Sequence, residues 1–272
     1  MTAGGTPPAA AREVLQGGVA NAGAVVRVGG EVHRPANPHS ATIHAMLRHV
    51  REHGFDGASD PIAIDGDRER LVFVPGDVPV PPYPPWAQTE TALASAARLI
   101  RGLHDASSDF AAPRARWSNE LSDPRPGDVP VVCHNDVCPE NIVFRDGEAV
   151  ALLDFDYAAP GRRAHDLACF ARMCVPVDSD VDARTLGWAP ADRPRRTRLV
   201  ADAYGCDATQ RAEVLDCLDG TIERGGEFVK RHVDAGEPGF VDMWRQMGGM
   251  ARFDRRRAWW ADARPAFADA LH

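Results

Sequence analysis

Residues 131 to 156 read Val131-Val132-Cys133-His134-Asn135-Asp136-Val137-Cys138-Pro139-Glu140-Asn141-Ile142-Val143-Phe144-Arg145-Asp146-Gly147-Glu148-Ala149-Val150-Ala151-Leu152-Leu153-Asp154-Phe155-Asp156. Two apolar runs flank Asp146-Gly147, the pattern of a β-hairpin closed by a two-residue turn. Such a turn pairs Arg145 with Glu148 and, counting back, Asn141 with Leu152. Asn141 and Asp154 then emerge at the same open end of the hairpin. Asp136, five residues before Asn141, lies at that end too. An amide oxygen and carboxylates converging on one point form a hard oxygen site, suited to magnesium carrying nucleotide phosphates.

Upstream, Arg12 to Leu15 is predicted to form a strand, followed by strands Ala24 to Val28 and Glu31 to Arg34 joined at Gly29-Gly30. Counting back from that turn pairs Val25 with Arg34 and Arg27 with Val32, so both arginines share one face. The small-residue segment from Gly17 to Gly23, led by Gly17 and Gly18, reads either as a phosphate-covering loop or as a plain turn. Ile43, Met46, Leu47 and Val50 recur at helical spacing behind a cap at Ser40. A further strand runs from Arg70 to Val74. Residues 1–76 therefore read as a small, mostly antiparallel sheet lobe with one helix, preceded by a disordered lead over 1–11.

Six prolines fall between Pro75 and Pro85, which excludes a helix interior or a central strand. Residues 77–90 are read as a stiff linker, with a second lobe over 91–272. That lobe starts with an amphipathic helix from Thr91 to His104, followed by a surface loop over 107–127. Beyond Asp156 come a turn at Ala158 to Gly161 and a helix starting near His165. From Arg195 onward the periodicity is helical, with a C-terminal helix interrupted at Pro265. The fold class is α+β: a sheet-bearing N-terminal lobe and a mostly helical C-terminal lobe.

A formal net charge of −8 over 272 residues argues against a nucleic-acid binder. No stretch has the length of a membrane span, and no basic-then-apolar leader opens the chain, so a cytoplasmic protein without membrane partners is expected. The six cysteines have no zinc-site spacing, and buried free thiols are expected. Lys230 is the only lysine, so arginine carries the rest of the positive charge.

A small sheet lobe, a proline-rich hinge and a helical lobe carrying His134-x-Asp136-x-x-x-x-Asn141, Asp154-Phe155-Asp156 and Asp166-Leu167-Ala168 resemble the aminoglycoside phosphotransferase-like kinases. These share the protein-kinase fold and phosphorylate small-molecule hydroxyls. The resemblance implies that Asp136 accepts or orients the proton of the acceptor hydroxyl. It implies that Asn141 and Asp154 hold magnesium against ATP or GTP. It gives His134 and Asp166 supporting roles in the catalytic loop. Asp156 either reaches a second metal ion or caps the following turn. Phe73 and Val74 match the hinge that would hold the purine, and Val32 would sit against the base.

One departure from the kinase pattern stands out. Kinases pair a strand lysine with a glutamate on the next helix. Here no lysine precedes Lys230 and no acidic residue lies between Glu31 and Glu52, so the usual ion pair is not expected. Arg34 occupies the matching strand position, with Arg27 beside it, and arginine can grip phosphate bidentately. His44 is read either as an exposed helix histidine or as the hydrogen-bonding neighbour of Arg34. In the C-terminal lobe, Asp216, Asp219, Glu223 and Glu227 form either a solvated helix face or a row that attracts a cationic acceptor.

The expectation is a magnesium-dependent transfer of the γ-phosphoryl of ATP or GTP to a hydroxyl of a small polar molecule, with an antibiotic as the leading acceptor. A metabolic kinase acting on an amino alcohol, sugar or nucleoside is one alternative. A nucleotide-binding regulatory pseudokinase is the other.

Overall fold

The structure is a computed structural model and describes residues 12–15, 23–112, 114–128 and 130–272. Strands β1 (Arg12–Val14), β2 (Val26–Val28) and β3 (Glu31–Pro35) lie antiparallel, with Arg27 opposite Val32 across the Gly29-Gly30 turn. Helix α1 (Ser40–Glu52) follows and buries Ile43, Met46, Leu47 and Val50. Ser40 is not its cap: it is the first helical residue, and its hydroxyl accepts from the Asn37 N–H instead. Next come strands β4 (Pro61–Asp65) and β5 (Arg68–Val72), completing a five-stranded antiparallel sheet in the order β1-β2-β3-β5-β4. Strand β4 was absent from the sequence reading, and β5 starts two residues earlier than predicted. The predicted positions Gly17 and Gly18, and the lead over 1–11, lie outside the described residues.

Helix α2 (Glu90–Ala106) starts at Thr89, whose hydroxyl accepts from the Ala92 N–H, and it packs Leu93, Ala96, Ala97, Ile100 and Leu103 inward. It is the floor on which the opening hairpin rests. Strand β6 (Val131–Cys133) leads into that hairpin, formed by β7 (Ile142–Arg145) and β8 (Glu148–Leu152). Asp146 and Gly147 both take positive φ, 51° and 80°, as the predicted turn requires.

The register beyond the turn differs from simple counting. A bulge between Val143 and Phe144 sets Leu152 opposite Ile142, and Asn141 pairs instead through its carbonyl with the Leu153 N–H at 2.8 Å. The extra residue brings Asn141 one step closer to Asp154.

Strand β9 (Ala159–Gly161) pairs back onto β6. The rest is helical: α3 (Arg163–Cys174), α4 (Asp180–Thr185), α5 (Arg193–Tyr204), α6 (Ala208–Asp234), α7 (Pro238–Met247) and α8 (Met250–Leu271). Helix α8 runs through Pro265 rather than stopping there. One apolar core joins Met46 and Val50 of α1 to Ile100 of α2, Phe170 of α3, Leu218 of α6 and Phe267 of α8. All six cysteines are free and buried. Among the described residues no helix is long and apolar enough to cross a membrane.

The loop before β6 is anchored by one side chain. Asp123, 5% exposed, accepts from the Arg162 N–H, Nε and Nη2 and from the Arg125 N–H. Gly161 permits this approach, because a Cβ there would sit 3.0 Å from both Asp123 Cβ and Cys133 Sγ. Burial alone would raise the Asp123 pKa, but the hydrogen bonds from Arg162 and the backbone hold it at about 2. A depressed carboxyl pKa stabilises the fold above its unfolded value, near 4, and that contribution disappears as pH falls towards 2. We expect Asp123→Asn to cost about 2 kcal/mol at neutral pH. In urea unfolding the gap between variant and wild type should stay constant from pH 7 to about pH 5 and then narrow from about pH 4 towards pH 2. A gap that does not change with pH would show that Asp123 acts by packing alone.

Candidate active site

The loop between β6 and β7 owes its shape to a buried aspartate. Asp166, in the first turn of α3, accepts from the His134 N–H at 2.8 Å and the Asn135 N–H at 2.7 Å. It also bonds His104 Nε2 at 2.9 Å. His104 of α2 is fully buried and bonds the Tyr204 hydroxyl through Nδ1 at 2.8 Å. Burial opposes the Asp166 charge, but the His104 hydrogen bond and the neighbouring imidazoles keep its pKa below the ordinary range. His134 Nδ1 accepts from the Asp136 N–H at 3.3 Å, so Nε2 carries the proton and donates to the Leu153 carbonyl at 2.8 Å. Burial lowers the His134 pKa, favouring this neutral ring. His134 thus ties the loop to the far strand of the hairpin.

These contacts hold Asn135 at φ 67° and Asp154 at φ 60°. Left-handed backbone costs a non-glycine residue about 1 kcal/mol or more and persists only where its surroundings enforce it. Asp166→Asn would set its amide N–H₂ against the Asn135 N–H in one orientation and against the His134 N–H in the other. We expect it to lower stability by about 3 kcal/mol and to reduce turnover in proportion to loop disorder. Wild-type stability by urea unfolding would remove Asp166 from this role.

The candidate site residues stand on that frame. Asn141 Nδ2 donates to the Asp136 carbonyl at 2.9 Å and to Asp136 Oδ2 at 3.2 Å. With its N–H₂ committed there, the amide offers its oxygen as its remaining polar group. Burial, and then the Asp154 charge, push the Asp136 pKa up to about 7. Asp156 rises to about 6 for the same two reasons. The donors available to a cation are the carboxylates of Asp154 and Asp156 and the Asn141 amide oxygen, with no sulfur or nitrogen. Hard oxygens carrying two negative charges fit a divalent cation of the magnesium type.

Arg34 closes the site from the sheet side. It is 7% exposed; its Nε donates to Glu69 Oε1 at 2.6 Å, its Nη1 to Asp154 Oδ1 at 2.8 Å, and its Nη2 to Asp156 Oδ1. Burial works against the guanidinium charge, but Asp156, Asp154 and Glu69 outweigh it and raise its pKa. Arg34 therefore has a glutamate partner, which the sequence did not reveal. The glutamate comes from β5, where Glu69 lies directly opposite Arg34, and not from the helix. His44 is not exposed: it is 2% accessible and bonds Glu69 Oε2 at 2.9 Å from α1. The helix therefore contributes to the pair indirectly, through an imidazole behind the carboxylate.

Arg27 shares the sheet face but does not join this cluster. Its guanidinium lies 3.9 Å over the Phe73 ring, and its Nε donates to the Gly29 carbonyl. Val32 lies opposite Leu71, and Phe73 hydrogen-bonds Gly30 through its N–H, so the hinge continues the sheet. Val74 follows, half-buried.

The predicted acidic row on α6 is engaged elsewhere. Asp219 accepts from Trp260 Nε1 and from Nε and Nη2 of Arg264, and Glu223 pairs with Arg257, all on α8. Asp216 and Glu227 are exposed. The sequence reading missed Glu69 and His104, which become visible only when strand neighbours and helix faces are known. It also missed Arg172 of α3, whose charge acts on Asp136.

Comparison with known proteins follows this geometry. Residues 109–199 match the model of the phosphotransferase enzyme family. The trifolitoxin immunity protein of Rhizobium leguminosarum bv. trifolii is 32% identical over 200 residues, spanning 71% of this chain and 75% of that protein. Among solved structures, a choline/ethanolamine kinase family protein from Mesorhizobium loti superposes with a TM-score of 0.64 at 16% identity, covering 96% of this chain and 92% of that one. The amicoumacin kinase hAmiN, solved with AMP-PNP, Ca2+ and Ami, gives a TM-score of 0.64 at 12% identity over 89% and 87% of the two chains. The streptomycin-ATP-APH(2")-IIa ternary complex gives 0.56 at 11% identity over 89% and 94%. At these identities the structural likeness concerns the fold, which is that of the kinase-like phosphotransferases.

Proposed function

The chain belongs to the phosphotransferase enzyme family, whose enzymes phosphorylate an alcohol group, and from that premise we propose that it moves the γ-phosphoryl of ATP or GTP onto a hydroxyl of a small antibiotic-type molecule. The observation that carries this is the convergence of Asp136, Asn141, Asp154 and Asp156 beneath Arg34. In this reading residues 77–90 link the two lobes and the nucleotide binds between them.

In this mechanism Asp136 receives the proton of the acceptor hydroxyl as its oxygen bonds to the γ-phosphorus. The bond from that phosphorus to the bridging oxygen breaks, and the nucleoside diphosphate leaves. The hydrogen bond from Asn141 fixes the Asp136 carboxylate in place. Asn141, Asp154 and Asp156 would hold the divalent cation, which when bound neutralises phosphate charge. Arg34 keeps its Nε on Glu69 and turns its Nη groups from the two aspartates to the nucleotide phosphates, so the arm is positioned before ligand arrives. Val32, Phe73 and Val74 border the base. Positioning and charge complementarity suffice, because phosphoryl transfer asks little covalent chemistry of the protein.

The antibiotic-type acceptor is supported by the name of the relative in Rhizobium, an immunity protein against a toxin. The test is a susceptibility panel in cells expressing the chain, followed by mass measurement of any compound that gains a phosphoryl group. Resistance without a phosphorylated product would point to a binding role rather than transfer. No resistance, combined with turnover on a metabolic alcohol, would move the acceptor to metabolism.

A further inference from the structure

Three arginines meet beside the catalytic loop in a way the mechanism above does not use. Arg252 and Arg256 of α8 are 3% and 7% exposed, and both donate to one oxygen, Asp178 Oδ2, at 2.8 and 2.6 Å. Arg172 of α3 lies within electrostatic reach of Arg256, Asp178 and Asp136. The Nε of each of the three is sealed from solvent and has no hydrogen-bond acceptor among the described residues. Asp178 is the one carboxylate that two of them share, and its Oδ1 is taken by the Ser179 N–H. The neighbouring Arg255 is balanced by its own partner, Asp182.

Helix α6 makes room for Arg172. Gly225 faces its guanidinium, and a Cβ there would lie 3.1 Å from Nη1. Buried guanidinium N–H groups without acceptors are costly unless something completes them. A planar donor fork matches a carboxylate or phosphate oxygen pair. The cationic acceptor suggested by the α6 carboxylates does not fit this arrangement.

We propose that Arg172, backed by Arg252 and Arg256, receives an oxyanion carried by the acceptor, so that the substrate class is an alcohol bearing a carboxylate or phosphate near the reacting hydroxyl. This rests on the kinase reading only in assigning the anion to the acceptor, since Asp136 handles the hydroxyl beside it. An oxyanion could also be supplied by the transferred phosphoryl of the nucleotide, and the experiment separates the two.

Inorganic sulfate is titrated into the full chain, with and without saturating Mg-AMP-PNP, while the arginine Nε–H resonances are followed by NMR. In wild type the signals of Arg172, Arg252 and Arg256 should shift with a dissociation constant in the millimolar range, and Mg-AMP-PNP should leave that titration unchanged. Arg172→Met should weaken sulfate binding by about tenfold or more without altering Mg-AMP-PNP affinity, and Arg172→Lys should retain part of it. Gly225→Ala, with Arg172 still present, should weaken it severalfold and gives a second test if Arg172→Met does not fold. Absence of shifts in wild type, or wild-type affinity in both Arg172→Lys and Gly225→Ala, overturns the anion site. Loss of sulfate binding in the presence of Mg-AMP-PNP overturns its assignment to the acceptor. A chain that binds sulfate at these arginines but never Mg-AMP-PNP would instead remove the kinase reading.

Discussion

Asp136→Ala is expected to lower kcat by about 10³-fold, within the range for loss of a positioned general base, while nucleotide KM changes little. Arg34 does not engage Asp136: the Asp136 Oδ2 accepts from Asn141, and Arg34 contacts Asp154 and Asp156 beyond β8. Removing Asp136 should leave the nucleotide and cation partners in place while the hydroxyl loses its proton acceptor. Asp136→Asn tests the same point with less change in shape, because the amide keeps the size but not the basicity. The measurement is steady-state turnover with the acceptor identified by the resistance panel, alongside nucleotide binding by calorimetry. Turnover within tenfold of wild type for both variants would show that Asp136 is not the base.

The second large effect concerns the buried pair across the sheet. Arg34→Ala removes the guanidinium that Glu69, 1% exposed, shares with Asp154 and Asp156. Breaking one side of a buried ion pair costs about 3–5 kcal/mol, and we expect a loss of that size in urea unfolding. Nucleotide affinity should fall with it. To separate the two effects, Glu69 can be neutralised at the same time. Arg34→Met with Glu69→Leu replaces the pair by apolar volume, which should recover much of the stability while nucleotide binding stays lost. Arg34→Lys should also be poor, because one ammonium group cannot span Glu69, Asp154 and Asp156 together. His44→Ala removes one hydrogen bond to Glu69 and should cost about 1–2 kcal/mol, well below the Arg34 effect. Nucleotide affinity that survives in the Met–Leu double variant would take Arg34 out of the binding site and leave it a structural residue.

The fold class and the hairpin were legible because their signals are local. Asp146-Gly147 specifies its turn through the φ values those two residues tolerate, and the alternating or helical spacing of apolar side chains marks each element. The family motifs lie within one short stretch for the same reason. Counting register along the hairpin worked only as far as Phe144, because a bulge obeys packing on both faces of the strand and leaves no mark in residue type. Strand β4 was missed although Asp65-Gly66 offered a turn signal like the one at Asp146-Gly147. Its Ile62-Ala63-Ile64 run is short and starts at Pro61, and the flank beyond the turn opens with Arg68-Glu69-Arg70, so apolar runs do not bracket the turn on both sides.

By itself, then, the sequence determined the kinase-like architecture and the meeting of Asp136, Asn141 and Asp154 at one end of a hairpin. It also showed that no lysine precedes Lys230, so that a lysine cannot stand opposite them in the sheet. Only the tertiary structure decided what Arg34 holds. Glu69 is 35 residues from Arg34 and Asp154 is 120 residues away. The likewise remote His104 settles on Asp166, and Arg252 and Arg256 settle near Arg172. Such pairings depend on strand order and on the angles at which helices pack, which arise from burying the whole core at once. A charge placed in that core takes whichever partner the packing brings within reach, and no spacing along the chain encodes that choice.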